Sequence, residues 1–144
     1  MSLAPAQIRI ARPTANPEAT ARFYELGVQG TRLGEFEDHA GYSGVMIGLP
    51  DASVHLELVH GTAMRHKPAP TPEDALVLYY PDQRAWAHRV AAMLSADCEE
   101  VDFENPYWND HARIFRDPDG YLVIVARDAG LAADQPSSNG EVQA

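Results

Sequence analysis

At 144 residues and 45% hydrophobic content, the chain can bury one compact core, or two small pseudo-repeats sharing a core. A formal net charge of −10 leaves no basic face for phosphates and argues against a nucleic-acid partner. Cys98 is the one cysteine, expected as an inert buried thiol; with no internal disulfide, no basic-then-apolar start and no apolar run of membrane length, the chain is expected in the cytoplasm, away from membranes.

Residues 7–12 alternate weakly and predict a first strand. Asn16 is a good N-cap and Pro17 suits the first helical position. The helix then carries Phe23, Tyr24 and Leu26 as its apolar face until Gly27 and Gly30 end it. Residues 31–37 predict a polar strand, followed by a turn at Asp38-His39-Ala40-Gly41. Residues 42–49 put Val45, Ile47 and Leu49 on one face and Gly44, Met46 and Gly48 on the other. After a turn at Pro50, residues 54–59 alternate strictly, so that His55 and Glu57 share a face.

Pro68, Pro70 and Pro72 mark residues 61–74 as a linker. A second series follows: a strand at 75–80, a helix capped by Asp82 with Trp86, Val90 and Leu94 on its face, and strands at 98–103, 112–116 and 121–126, with a loop at 105–110. Acidic residues fill five of the eight positions from Asp97 to Glu104, in the alternation of a solvated strand edge. Residues 128–144 lack apolar anchors and read as a disordered tail.

The two series are copies of one unit. Pro13 and Pro81 lie 68 residues apart, and so do Pro50 and Pro118. A shared offset at two landmarks predicts an α+β fold of two tandem βαβββ units, residues 7–60 and 75–127, with a ligand expected where they meet.

Paired βαβββ units, the Phe23-Tyr24 pair late in the first helix and the Phe115-Arg116-Asp117-Pro118-Asp119-Gly120 turn before the last strand resemble the vicinal-oxygen-chelate superfamily. This group includes glyoxalase I, extradiol dioxygenases and bleomycin-resistance proteins, and the resemblance covers about residues 7–127. Ala11-Arg12-Pro13-Thr14, Gly41-Tyr42 with Gly44-Val45-Met46, His55-Leu56-Glu57 and Glu104-Asn105-Pro106-Tyr107-Trp108 are similar to a bacterial glyoxalase-like branch of it. The resemblance implies curled mixed sheets around a pocket, the glyoxalase/bleomycin-resistance/dioxygenase fold. In metal-dependent members that pocket holds a divalent ion. The family's ligand positions fall near Ile8 or Arg9, near Leu76 or Val77, and on Ile124, none of which suits such an ion; Glu57 alone offers a carboxylate. A catalytic metal commonly needs three protein ligands, so no metal cofactor is expected.

An alternative keeps the metal. His55 and Glu57, two apart on one strand face, could share a nickel, zinc or iron ion with His60 or His111, in a lyase, isomerase or dioxygenase. Without a metal, His55 and Glu57 are recognition or proton-transfer groups in a pocket. Arg12 and Tyr80 hold equivalent positions in the two copies and suit polar contacts to a ligand, Arg12 to a carboxylate or phosphate. Tyr42, Tyr107 and Trp108 suit stacking on a planar or cationic one. Asp117 and Asp119 read as turn formers. No serine elbow, glycine-rich phosphate loop or Cys-His pair with an orienting third group is present, so no catalytic residue is assigned. The expected activity is binding of a small organic molecule, such as sequestration of a cationic drug. A homodimer is expected, and a purely dimerising role is a third reading.

Overall fold

The computed structural model describes residues 1–50, 52–108 and 110–131; the tail expected from position 128 lies outside the described residues from position 132 onward. Strand β1 (Ile8–Pro13) leads into helix α1 (Pro17–Arg22), where the Asn16 side chain accepts from the Ala19 amide and Pro17 takes the first turn. The helix continues as a π-turn, Phe23–Gly27, with the Val28 amide donating to the Phe23 carbonyl. The wider turn sets the consecutive rings of Phe23 and Tyr24 both in the core. Leu26, expected beside them, is exposed. Strands β2 (Thr31–His39), β3 (Tyr42–Gly48) and β4 (Val54–His60) complete the first sheet, in the order β1-β4-β3-β2.

The second unit repeats this plan with β5 (Ala75–Tyr79), α2 (Gln83–Ser95), β6 (Glu99–Val101), β7 (Ala112–Arg116) and β8 (Leu122–Ala126), in the order β5-β8-β7-β6. In each sheet the first strand runs parallel to the last and the remaining pairs are antiparallel. The face of α2 differs from the one expected: Arg89, Val90 and Met93 are buried, while Leu94 is exposed. Trp86, Val90 and Met93 follow the 3.6-residue period, and Leu94 lies about 100° further round. Strand β6 also ends earlier than expected. Phe103 leaves the sheet and folds back over it against Ile114, Leu122 and Ile124.

Both sheets bury one face in a single core around the helices. Leu56, Leu58, Val45 and Ile47 of the first unit meet Tyr24 and Ala21, and the same core runs on through Val90, Met93, Phe115, Val123 and Val125 of the second. Polar contacts fasten this junction. Asp119 accepts from the Ala15 amide at 2.9 Å and from Thr20 Oγ1 at 2.8 Å, both across the repeats. Asp117 accepts from the amides of Asp119 and Tyr121, as expected of a turn former, and also from Tyr24 Oη in the other unit.

Because the helices occupy one side of each sheet, alternate residues point to the opposite, outer side. The two outer faces differ. On the second sheet, Phe103 and Trp108 cover Ile114, Ile124 and Ala126, forming a core of their own. The first sheet's outer face carries Arg9, His55, Glu57 and Met46.

Candidate functional site

Parallel pairing of β1 with β4 sets Arg9 beside His55 and Ala11 beside Glu57. The long side chain of Arg9 reaches both neighbours: Nε donates to His55 Nε2 at 2.9 Å and Nη1 lies 3.4 Å from Glu57 Oε2. Arginine nitrogens only donate, so His55 Nε2 is the acceptor and the ring proton sits on Nδ1. His55 is 5% exposed, whereas the Arg9 side chain is 50% exposed and that of Glu57 14%. Gly44 shapes the floor: a Cβ there would stand 2.6 Å from the Phe36 ring and 3.4 Å from Glu57 Oε2, so glycine is what lets Phe36 lie beside the carboxylate. At Gly48 the chain similarly admits Leu33.

His55 also lines a cleft of about 600 Å³ at the end of the first sheet, with Gln7, Leu33, Gly48, Leu49 and Val54 among its walls. All of its lining comes from the first unit. The expected ligand site at the junction of the repeats therefore differs from this one, because the repeats meet through their helices. A cleft of about 350 Å³ does lie at that junction, between Arg22 or Phe23 and Cys98 or Arg116, and contains none of the residues expected to bind. Another, of about 490 Å³, separates Pro68–Pro72 from Val101–Glu104; the arginine on its wall, Arg116, is paired to Glu99.

Of the seven residues expected at the site, the structure brings His55 and Glu57 together, sets Tyr42 further along the same face, packs Tyr107 against Trp108 on the second sheet, and turns Arg12 and Tyr80 elsewhere. Arg12 sits on the helix side of the first sheet, donating to Tyr24 Oη at 3.3 Å with its guanidinium 4.6 Å from the centre of the Tyr121 ring. Tyr80 accepts from Arg89 Nε at 3.0 Å; Arg89 Nη1 in turn holds the Gly27 carbonyl and the Gln29 side chain. Equivalent positions in the repeats thus lead Arg12 and Tyr80 into separate networks. Tyr42 stands exposed at the start of β3, paired with His39. Tyr107 and Trp108 pack edge to face at 4.9 Å on the second sheet, with Trp108 buried against that sheet's outer face and Tyr107 also edge-on to His111. The residue missed by sequence reasoning is Arg9. Its signal was available in the parallel β1–β4 pairing that the βαβββ plan implies.

These residues do not fit a divalent ion at the position the fold family uses. On β1 that position holds Arg9, a cation without a lone pair to offer. The matching pair on the second sheet is Val77 and Ile124, neighbours in the β5–β8 register, which have no donor atoms. Arg9 and Val77 stand 68 residues apart but their partners His55 and Ile124 stand 69 apart, so the last strands are displaced by one residue relative to the proline landmarks. His60 is on the helix side of β4, and His111 Nε2 lies 3.8 Å from Asp128 Oδ2 on the second sheet. Among the described residues no three His, Cys, Asp or Glu side chains are grouped to hold an ion.

Residues 8–59 match the model of the YycE-like N-terminal domain and residues 73–127 that of the YycE-like C-terminal domain. The uncharacterized protein YycE of Bacillus subtilis (strain 168) is 40% identical over 127 residues, which span 88% of this chain and 91% of that protein. The chain belongs to the YycE-like family. The crystal structure of Bacillus subtilis YycE, described as a protein of unknown function and a candidate glyoxalase/fosfomycin resistance protein, aligns with a TM-score of 0.81 over 89% of this chain and 93% of that one. Two remoter structures share the fold. The trypanothione-dependent glyoxalase I of Leishmania major aligns at TM-score 0.62 and 15% identity, covering 84% of this chain and 85% of its own. TnmS3, an antibiotic binding protein of Streptomyces sp. CB03234, aligns at 0.58 and 19%, covering 85% and 95%. The YycE-like chain thus has the glyoxalase/bleomycin-resistance/dioxygenase fold of the vicinal-oxygen-chelate superfamily. Among the described residues no helix is long and apolar enough to cross a membrane.

Proposed function

We propose that this YycE-like protein binds a small organic molecule on the outer face of its first sheet, at His55 and the adjoining cleft, without a divalent metal. One observation carries the reading: the Arg9 guanidinium already lies against His55 and Glu57, the imidazole and the carboxylate that β4 presents on that face. A second cation would have to displace it or bear its charge at close range. Antibiotic binding by TnmS3 supports the idea that this fold can serve as a binding scaffold, although a fold hosts many chemistries. The test is a thermal-shift screen of small organic compounds with and without nickel, zinc or ferrous iron. Binding raises the apparent stability of the folded state. The reading expects hits whose shifts are independent of metal. Metal retained stoichiometrically through purification, and lost with Glu57→Ala, would support the lyase, isomerase or dioxygenase instead.

Two copies are proposed to pair. Among the described residues, strand β1 is an edge with no further strand on its outer side, and it carries Ile8 and Ile10, both of which are exposed. An open edge with apolar side chains favours association. Light scattering on the purified chain distinguishes a dimer from a monomer.

A further inference from the structure

Of the five strand arginines, three hold a carboxylate closely, while Arg12 is turned to Tyr24 Oη and the Tyr121 ring on the helix side. Arg32 holds Glu25 at 2.6 Å, Arg116 holds Glu99 at 2.6 Å and Arg113 holds Glu100 at 2.7 Å, each a close charge-assisted pair. Arg9 has no such partner. Its shortest hydrogen bond, at 2.9 Å, goes to an imidazole, and its carboxylate contact, at 3.4 Å, is longer than a charge-assisted bond. Of its five N–H groups, both on Nη2 have no hydrogen-bond partner among the described residues, and half of the side chain is open to solvent. A guanidinium in this condition retains both charge and directional donors.

His55 fixes where those donors point. It is buried and accepts from Nε, which holds the guanidinium plane while leaving its far end free. His55 also lines the cleft whose other walls include Leu33, Leu49 and Val54. Arg9 is joined to this cleft through its hydrogen bond to His55, so a head group carried past His55 by an apolar body in the cleft would meet the guanidinium. A cationic head group would meet the guanidinium instead of an acid, since Glu57 is already the nearer counter-charge.

We propose that Arg9 is the resident cation of this face and that its free guanidinium end holds the oxyanion head, a carboxylate or a phosphonate, of a molecule whose apolar body lies in the cleft beside His55. His55 is then a positioning residue for Arg9. This deepens the reading of the face as a small-molecule site and rests on it.

The experiment uses the full chain and four probes sharing one ring: benzoate, phenylphosphonate, benzyl alcohol and benzylammonium. Binding is followed by the imidazole resonances of His55, assigned by their loss in His55→Asn. We expect benzoate or phenylphosphonate to bind at least about tenfold more tightly than benzyl alcohol, and benzylammonium more weakly still; a hydrogen-bonded charge pair commonly contributes that much. Comparing the two anions identifies the head group. Arg9→Met should weaken the anion about tenfold and leave benzyl alcohol unchanged, while Arg9→Lys keeps the preference for the anion. Equal binding of benzoate and benzyl alcohol, preference for benzylammonium, or indifference to Arg9→Met overturns the role of Arg9 and leaves the small-molecule site standing. If none of the four probes moves the His55 signals, the site itself is lost, and the role of Arg9 with it.

Discussion

Tyr24 Oη donates to Asp117 Oδ2 at 2.6 Å, a contact between side chains 93 residues apart that ties the first unit's helix to the second unit's turn. Both groups are buried, and the bond has no water to replace it. Arg12 donates to the same hydroxyl from the first strand. Removing the hydroxyl with Tyr24→Phe leaves a buried carboxylate with backbone partners only. The expected cost is about 1.5–3 kcal/mol, read as a lower urea midpoint at unchanged slope.

Burial pushes the Asp117 carboxyl above its ordinary value of 3.8, against the lowering influence of Tyr24 and of the amides of Asp119 and Tyr121. The folded state therefore holds this proton more tightly than the unfolded one. Its contribution to stability is complete below pH 3.8 and is lost as pH rises through the raised folded value. Asp117→Asn lacks that dependence. Urea unfolding from about pH 7 down to about pH 3.5 should show the wild type gaining on Asp117→Asn with acidification; a difference that stays constant or moves the other way contradicts the assignment.

Arg9→His removes the resident cation and adds an imidazole beside His55 and Glu57, completing three metal-ligating side chains on one face. Isothermal titration with zinc should detect binding to this variant and none to the wild type. The gain should vanish when Glu57→Ala is added.

Cys98 is half-buried and lies beside Asp97; burial, and secondarily that charge, push its thiol up to about 11. At neutral pH only about one thiol in ten thousand is then the reactive thiolate. Iodoacetamide should label the native protein far more slowly than the urea-unfolded chain, whose thiol returns to about 8.5.

Much of this architecture was legible in the residues. Strict alternation over residues 54–59 and the paired prolines pointed to the sheets and the repeat, because a strand with one buried face must alternate. The Asp117-Pro118-Asp119-Gly120 turn was legible as a turn, but its carboxylates also reach Tyr24, Thr20 and Ala15, and no local pattern reports contacts of that sequence separation. Arg89 was hidden for a related reason: an arginine on a helix reads as solvated, yet this one is buried by neutral partners from the other unit. At the site, His55 and Glu57 could be paired from spacing along one strand. Arg9 joins them from a strand 46 residues away, which only the sheet register reveals. Arg12 and Tyr80 were united by symmetry of position, and the helix packing separated them.

Phe103 and Trp108 close the second sheet over Ile124, which is 1% exposed, while the matching strand of the first sheet offers His55 and Glu57. The duplication is therefore symmetrical in backbone and lopsided in chemistry. Among the described residues, one outer face is covered by the chain's own loop and the other is not, so a guest recognised at His55, as proposed, should saturate at one equivalent per chain, however many chains assemble.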